Sequence, residues 1–330
     1  MNDAIIEVTG LSKMFKVPQK EKEGLLSAAK SLFSRKFKHV HAIKGIDLHI
    51  RKGEICGLIG PNGAGKSTTI KVLSGILHPT EGSVKVMGHV PWLERETYVR
   101  KIGALFGQKT QLWWDVPAFD TFALHKVMYN IDDVTYRATI REFDEILGLD
   151  DVMNRPVRQL SLGERMKCEL VCAMLHAPEL IFLDEPTIGL DILAKEAIRS
   201  FIKRINKERG TTFIVTTHDM SDIEDLCERV TVINHGTIVY DAAIEQMKRF
   251  FSERKIIDIR LSKPIEERSL SDYEVTTFNG ITASLELDLT KNDLQTQISE
   301  IFSRFPVQDI NVNNIPIEQV IKEIYGKQAG

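Results

Sequence analysis

Along the chain, short continuous apolar runs alternate with stretches in which apolar residues recur every three or four positions. Continuous runs bounded by turn or polar residues predict strands buried on both faces, and the longer period predicts helices with one apolar side. "EICGLIG", "LIFLD" and "TTFIVTTH" are the clearest strand candidates, and from Ile5 to about Tyr240 the alternation predicts an α/β domain built on a largely parallel sheet. Between Gln108 and Leu175 the texture turns mostly helical, which predicts a helical insert, and Pro18–His39 reads as an insertion between two early strands. Beyond about Met247 a second pattern begins: strands at "KIIDIRL" and "ITASLELDL", an amphipathic helix over Leu294–Phe305, then "VQDINV" and a last helix at "IEQVIKEIYG". The expected organisation is a domain over 1–245, with an insertion at 17–40 and a helical subdomain at about 109–176, followed by a small α+β appendage over 246–330.

Composition narrows the function classes. At 330 residues, 43% hydrophobic and 27% charged, the chain suits a soluble globular protein, and a formal net charge of -3 argues against a dedicated nucleic-acid binder. Cys56, Cys168, Cys172 and Cys227 lie in apolar runs without a CxxC pair, which predicts core thiols in a reducing compartment. No stretch approaches the length of a membrane span, and "MNDAIIEVTG" lacks the basic start and apolar run of a signal peptide. The expected location is cytosolic, with any membrane reached by binding something else.

"GPNGAGKST" follows a predicted strand and opens a predicted helix, the setting in which a glycine-rich loop cradles phosphate. In Gly60, Pro61, Asn62, Gly63, Ala64, Gly65, Lys66, Ser67 and Thr68, the glycines let consecutive N–H groups face an anion. The helix start adds partial positive charge, Lys66 can reach β- and γ-phosphates, and the Ser67 hydroxyl can ligate Mg²⁺. "LIFLDEP" ends a strand on two acids: a strand next to the phosphate loop would bring Asp184 to the metal, and Glu185 could polarise an attacking water.

With both motifs in place, the first 245 residues or so resemble the nucleotide-binding subunit of an ABC transporter. The resemblance implies a P-loop ABC-type ATPase core: a mainly parallel sheet with an antiparallel β subdomain and a helical insert. In that family two cassettes, identical or paired with a second ATPase subunit, sandwich two ATP molecules head to tail, each site joining the phosphate loop of one copy to the signature motif of the other. "LSLGE" stands where the family has LSGGQ, with Leu162 for a glycine and Glu164 for the glutamine. The Ser161 hydroxyl and the Gly163 N–H survive as phosphate ligands, and Glu164 costs little if it points outward or pairs with Arg165 or Lys167. The same letters also read as an N-capped helix, with Ser161 and Glu164 forming a capping box, and the two readings are compatible. Gln108 resembles the glutamine that senses Mg²⁺ and the attacking water, Asp191 in "TIGLD" the loop that crosses to the other copy, and His218 the switch histidine on the γ-phosphate. Phe15 in "LSKMF" resembles the aromatic that stacks on adenine.

Two further stretches extend the resemblance. Leu25, Ala29, Leu32 or Phe33, and Phe37 recur with a helical period, with Lys30, Arg35, Lys36 and Lys38 on or beside the other face. This predicts either a helix packed on the β-rich edge of its own domain or a basic helix touching anionic lipid. Trp113 and Trp114 lie where the family receives a coupling helix from the membrane subunit, so they are either anchors for it or core of the insert. "FGQKTQLWWD", "LSLGERM" and the early insertion resemble a bacterial branch that pairs with separate multi-span permeases and acts in export. The implied protein is a Mg²⁺-dependent ATPase on the cytoplasmic face of the cell membrane, held there by its permease, with import and non-transport ABC ATPases acting on ribosomes or DNA as the alternatives.

Overall fold

The computed structural model describes residues 3–18, 37–107, 110–217 and 219–315. These fall into two compact units, Met1–Asp241 and Ala242–Gly330. The first contains β1 (Ala4–Pro18), β2 (Phe37–Arg51), β3 (Ile55–Ile59), α1 (Lys66–Leu73), β4 (Glu81–Val86), α2 (Arg95–Val99), β5 (Ile102–Phe106), α3 (Ala118–Met128), α4 (Asp133–Leu147), α5 (Leu162–Met174), β6 (Leu180–Asp184), α6 (Ile192–Arg209), β7 (Thr212–Thr216), α7 (Met220–Leu226), β8 (Arg229–Asn234) and β9 (Thr237–Ala243).

One sheet is antiparallel and three-stranded, in the order β2-β1-β4; the other has six strands in the order β5-β6-β7-β3-β8-β9. In the larger sheet β3 pairs in parallel with β7 and β8, and β6 with β5 and β7. The register draws Phe106, Asp184, Thr216 and Leu58 into one row across four strands. Every loop leaving those strands therefore emerges along one carboxyl edge, where open α/β sheets bind ligands. The strands are buried end to end except where β5 and β6 approach that edge, which explains their unbroken apolar reading. One expectation needs correcting: β6 is not next to the strand that feeds the phosphate loop, because β7 lies between them.

The helical region takes its shape from local signals. Asp132 caps α4 by accepting from the N–H groups of Val134 and Thr135, and Gly148, at φ 63, ends it. Asp191 caps α6, which stops at Gly210, φ 64. The two helices meet through an edge-on contact of Phe143 with Phe201, ring centroids 5.1 Å apart, both fully buried. Helix α5 starts against α6: a Cβ at Gly163 would stand 2.8 Å from the Cβ of Ala194, so the close approach of the two N-termini depends on a missing methyl.

The early insertion is partly strand. The β1–β2 ladder continues through Val17–Lys38 and Pro18–Phe37, so Phe37 and Lys38 are strand residues rather than the end of a helix, and the rest of that candidate helix lies outside the described residues. The four cysteines are buried and free.

The second unit has α8 (Ile244–Glu253), β10 (Arg254–Leu261), β11 (Glu274–Phe278), β12 (Thr282–Asp288), α9 (Leu294–Arg304) and β13 (Val307–Asn314). Its antiparallel sheet runs β11-β12-β10-β13 over a core that includes Ile257, Ile259, Leu285, Leu287, Ile301 and Phe305. The sequence pattern had not marked β11, a five-residue strand with no buried side chain, or α8. The last expected helix lies outside the described residues.

The Gly163–Ala194 contact predicts a coupled pair. In a double-mutant cycle of Gly163→Ala with Ala194→Gly, urea unfolding should show a favourable coupling of about 1 kcal/mol or more. Additive effects would mean the helices separate at no cost.

Candidate active site

The phosphate loop is braced from below by backbone. A Cβ at Gly60, whose φ is 150, would fall 1.9 Å from the carbonyl oxygen of Ile233, so no side chain fits there. The Gly236 N–H donates to Ala64 O at 2.9 Å, and the Lys44 N–H to Gly236 O at 2.8 Å, tying the loop to β2 and to the turn after β8. Asn62 and Gly63 are exposed at the tip, and Ser67 and Thr68 are half-buried on α1. Lys66 is 5% exposed and donates back to Gly60 O at 2.7 Å and Pro61 O at 3.2 Å. Burial lowers its pKa from the ordinary lysine value, while the carboxylates of Glu185 and Asp184 oppose that shift. An ammonium partly removed from water and hydrogen-bonded to two carbonyls of its own loop is well placed to exchange them for phosphate oxygens.

Asp184 stands at the centre of the carboxyl edge. Its Oδ1 accepts from the Ser67 hydroxyl at 3.0 Å and from the Thr216 hydroxyl at 2.6 Å. The next residue leaves the strand: Glu185 has φ 57, in the left-handed region that non-glycine residues occupy at a cost of about 1–2 kcal/mol. Its N–H donates to Thr216 O at 3.0 Å and to Thr216 Oγ1 at 3.1 Å. Thr216 thus receives one acid's backbone and bonds the other's side chain. It escaped the sequence reading, although its place two residues before His218 in a neighbouring strand could have suggested it. Gln108 and His218 lie outside the described residues. Gly107, immediately before Gln108, donates its N–H to Asp184 O at 2.9 Å, and Thr217, immediately before His218, is buried.

A third acid, missed in the sequence reading, lies behind this edge. Asp222, 1% exposed, accepts at Oδ2 from Thr187 and from Thr217 Oγ1 at 3.3 Å, and its Oδ1 faces Arg199 Nε at 3.1 Å. It binds the segment after Glu185 to the chain just ahead of His218. Asp191, four residues beyond Thr187, is exposed and accepts from the Ala194 N–H at 2.8 Å.

The signature-like segment forms its own small network. Ser161 caps α5, accepting from Glu164 N at 3.2 Å, while Glu164 Oε2 accepts from Ser161 N at 2.8 Å, completing the capping box. The other oxygen of Glu164 takes a hydrogen bond from Arg155, so its partner is neither Arg165 nor Lys167: Arg165 lies over the Trp114 ring at 5.8 Å, and Lys167 donates to Leu147 O at 2.7 Å. The Ser161 N–H bond and the Arg155 guanidinium hold the Glu164 carboxyl below its usual range, against the effect of burial. The hydrogen bonds of Ser161 and Glu164 run within this segment and to Arg155 rather than to the phosphate loop. Phe15, half-buried, pairs across the antiparallel sheet with Val40, and two residues on, the carbonyl of Ala42 abuts Gly65. Trp113 and Trp114 are 57% and 51% exposed, which overturns the reading of either as core.

Among the described residues no helix is long and apolar enough to cross a membrane. Residues 43–188 match the ABC transporter family, and residues 253–313 match the family described as EvrA-like ABC transporter, C-terminal domain. The chain is 33% identical over 222 residues to the ABC transporter ATP-binding protein NatA of Bacillus subtilis, covering 67% of this chain and 89% of that protein. It is 28% identical over 280 residues to the linearmycin resistance ATP-binding protein LnrL of the same organism, covering 84% of this chain and 89% of the relative. Its fold resembles that of a dimeric ATP-binding cassette in a post-hydrolysis state bound to ADP and Pi, with a TM-score of 0.60 and 24% identity over 72% of this chain and 98% of that one. A braced phosphate loop, two acids at the carboxyl edge and these relatives agree: the chain belongs to the ABC transporter family, as an ATP-binding and ATP-hydrolysing subunit of a transport system.

Proposed function

We propose that the chain drives export through a separate multi-span permease on the cytoplasmic face of the cell membrane, paired with a second cassette so that two ATP molecules lie head to tail between them. The observation that carries the chemistry is the junction of Ser67, Asp184, Thr216 and Glu185 at the carboxyl edge. Export is favoured by the likeness to a resistance protein that extends over 84% of this chain. The exposed Trp113 and Trp114 support a permease contact, since large aromatics at a surface make strong anchors.

In this reading backbone N–H groups of the loop, at Gly63 and from Gly65 to Thr68, and the ammonium of Lys66 hold the β- and γ-phosphates. Among the described residues no group of three or more His, Cys, Asp or Glu could hold a metal, but Mg²⁺ on a nucleotide needs only one or two protein oxygens beside phosphate and water. The Ser67 hydroxyl and Asp184 carboxylate, 3.0 Å apart, are hard oxygen donors that fit it, with Gln108 as the third candidate. Bound there, Mg²⁺ would neutralise charge on the phosphates. Glu185 orients a water against the γ-phosphorus. As the water oxygen bonds to phosphorus, the bond to the β–γ bridging oxygen breaks, ADP leaves with that oxygen, one proton passes to Glu185 and the other stays on the phosphate. His218 holds the γ-phosphate, Phe15 stacks on adenine, and Asp191 with Ser161 and Gly163 of the second cassette closes the site.

Glu185→Gln should slow hydrolysis by about 10²-fold or more, the scale of a positioned base, while ATP binding persists. With ATP this variant should also elute at twice the mass of the free chain in light-scattering chromatography. Turnover at the parental rate would remove Glu185 from the mechanism. Pull-down of the same ATP-trapped variant from detergent-solubilised membranes should recover a multi-span permease, and inward transport of its substrate would reverse the assigned direction. Recovery of ribosomes or DNA-associated proteins instead would move the ATPase out of transport.

A further inference from the structure

Glu169 lies two turns into α5, 4% exposed, where an apolar residue would pack at no electrostatic cost. It takes a hydrogen bond from the Thr110 hydroxyl, and the Gln111 N–H reaches both its oxygens, at 3.0 and 3.1 Å. Four residues earlier on the same helix, Arg165 covers Trp114. Residues four apart share a helix face, so the segment from Thr110 to Trp114 is docked on one side of α5 at two points. Just upstream, β5 leads into Gly107, whose N–H is fixed on Asp184 O at 2.9 Å. The chain is thus held at the catalytic edge on one side of positions 108 and 109, and on the signature-bearing helix on the other.

We propose that Glu169 is a positioning residue for ATP hydrolysis, latching the segment that follows Gln108 onto the helix that Ser161 and Gly163 begin. Through it the segment that carries the exposed Trp113–Trp114 pair moves with α5 as one body. A buried polar acceptor is retained here because the Thr110 hydroxyl and the Gln111 N–H arrive from a separate loop and need an oxygen on α5 to receive them. The inference rests on the assignment of the ATP site above.

The test uses the full chain and compares steady-state ATPase kinetics, fluorescent-ATP binding and thermal midpoints. Removing the latch misplaces groups that it does not itself contact, a fault expressed in kcat. Glu169→Ala should lower kcat about ten-fold or more with KM for ATP changed less than about three-fold. Glu169→Gln, which keeps one carbonyl acceptor, should recover much of that loss. Thr110→Val, at an exposed loop position that tolerates the change, should lower kcat about three-fold at an unaltered thermal midpoint. Glu169→Ala within about two-fold of parental kcat overturns the proposal, as does a parallel loss of ATP binding, which marks a merely structural acid. If Glu169→Ala fails to fold, Thr110→Val decides alone, and parental turnover there overturns it. Glu185→Gln run alongside separates the two failures: if that variant also turns over normally, the site assignment is at fault and not the latch.

Discussion

One oxygen atom sets the geometry of this molecule's edge. Asp184 Oδ1 accepts two hydroxyls, one from the start of the helix after the phosphate loop and one from the neighbouring strand. A hydroxyl donates a single hydrogen, so both Ser67 and Thr216 commit theirs to the same point. That point joins three elements far apart in sequence, and the row of Phe106, Asp184, Thr216 and Leu58 keeps it in register with the strands on either side. The bracing of the phosphate loop by Ala64 and Gly236 then fixes where Ser67 stands relative to it. A shift of β6 or β7 by two residues would separate the Thr216 hydroxyl from the carboxylate, which is why the chemistry needs a well-buried parallel sheet beneath it.

Much of this was legible because some of the chemistry is written in contiguous letters. A phosphate loop and a strand ending in two acids each occupy fewer than ten residues, and their local context of strand, loop and helix can be read by periodicity alone. What could not be read depends on neighbours brought together only by folding. Thr216 gains its role from the insertion of β7 between β3 and β6, an order that no local pattern encodes. Asp222, on α7, joins Arg199 on α6 to Thr187 and Thr217 in two separate loops, across 35 residues of sequence. β11 was missed for a different reason: an exposed five-residue strand gains its definition from its pairing with β12 rather than from its own composition.

The altered signature shows how a change of wording is absorbed. Glutamate in place of glutamine adds a negative charge, and two donors meet it: the Ser161 N–H and Arg155. Both Glu164 and Arg155 are partly exposed, so the pair contributes modestly to stability. Its value lies in where the charge goes. With one oxygen on the cap and the other on the guanidinium, the carboxylate is directed into its own helix start, and the Ser161 hydroxyl, which only accepts within the cap, keeps its hydrogen to donate. Leu162 stays 40% exposed at the same turn, leaving an apolar residue where the family pattern has none.

The left-handed backbone at Glu185 has a consequence for how such a chain can evolve. A glycine there would relieve the left-handed strain at the moment it removed the acid. Selection for robustness alone therefore pulls this position toward a dead enzyme, and the glutamate persists only while turnover itself is under selection.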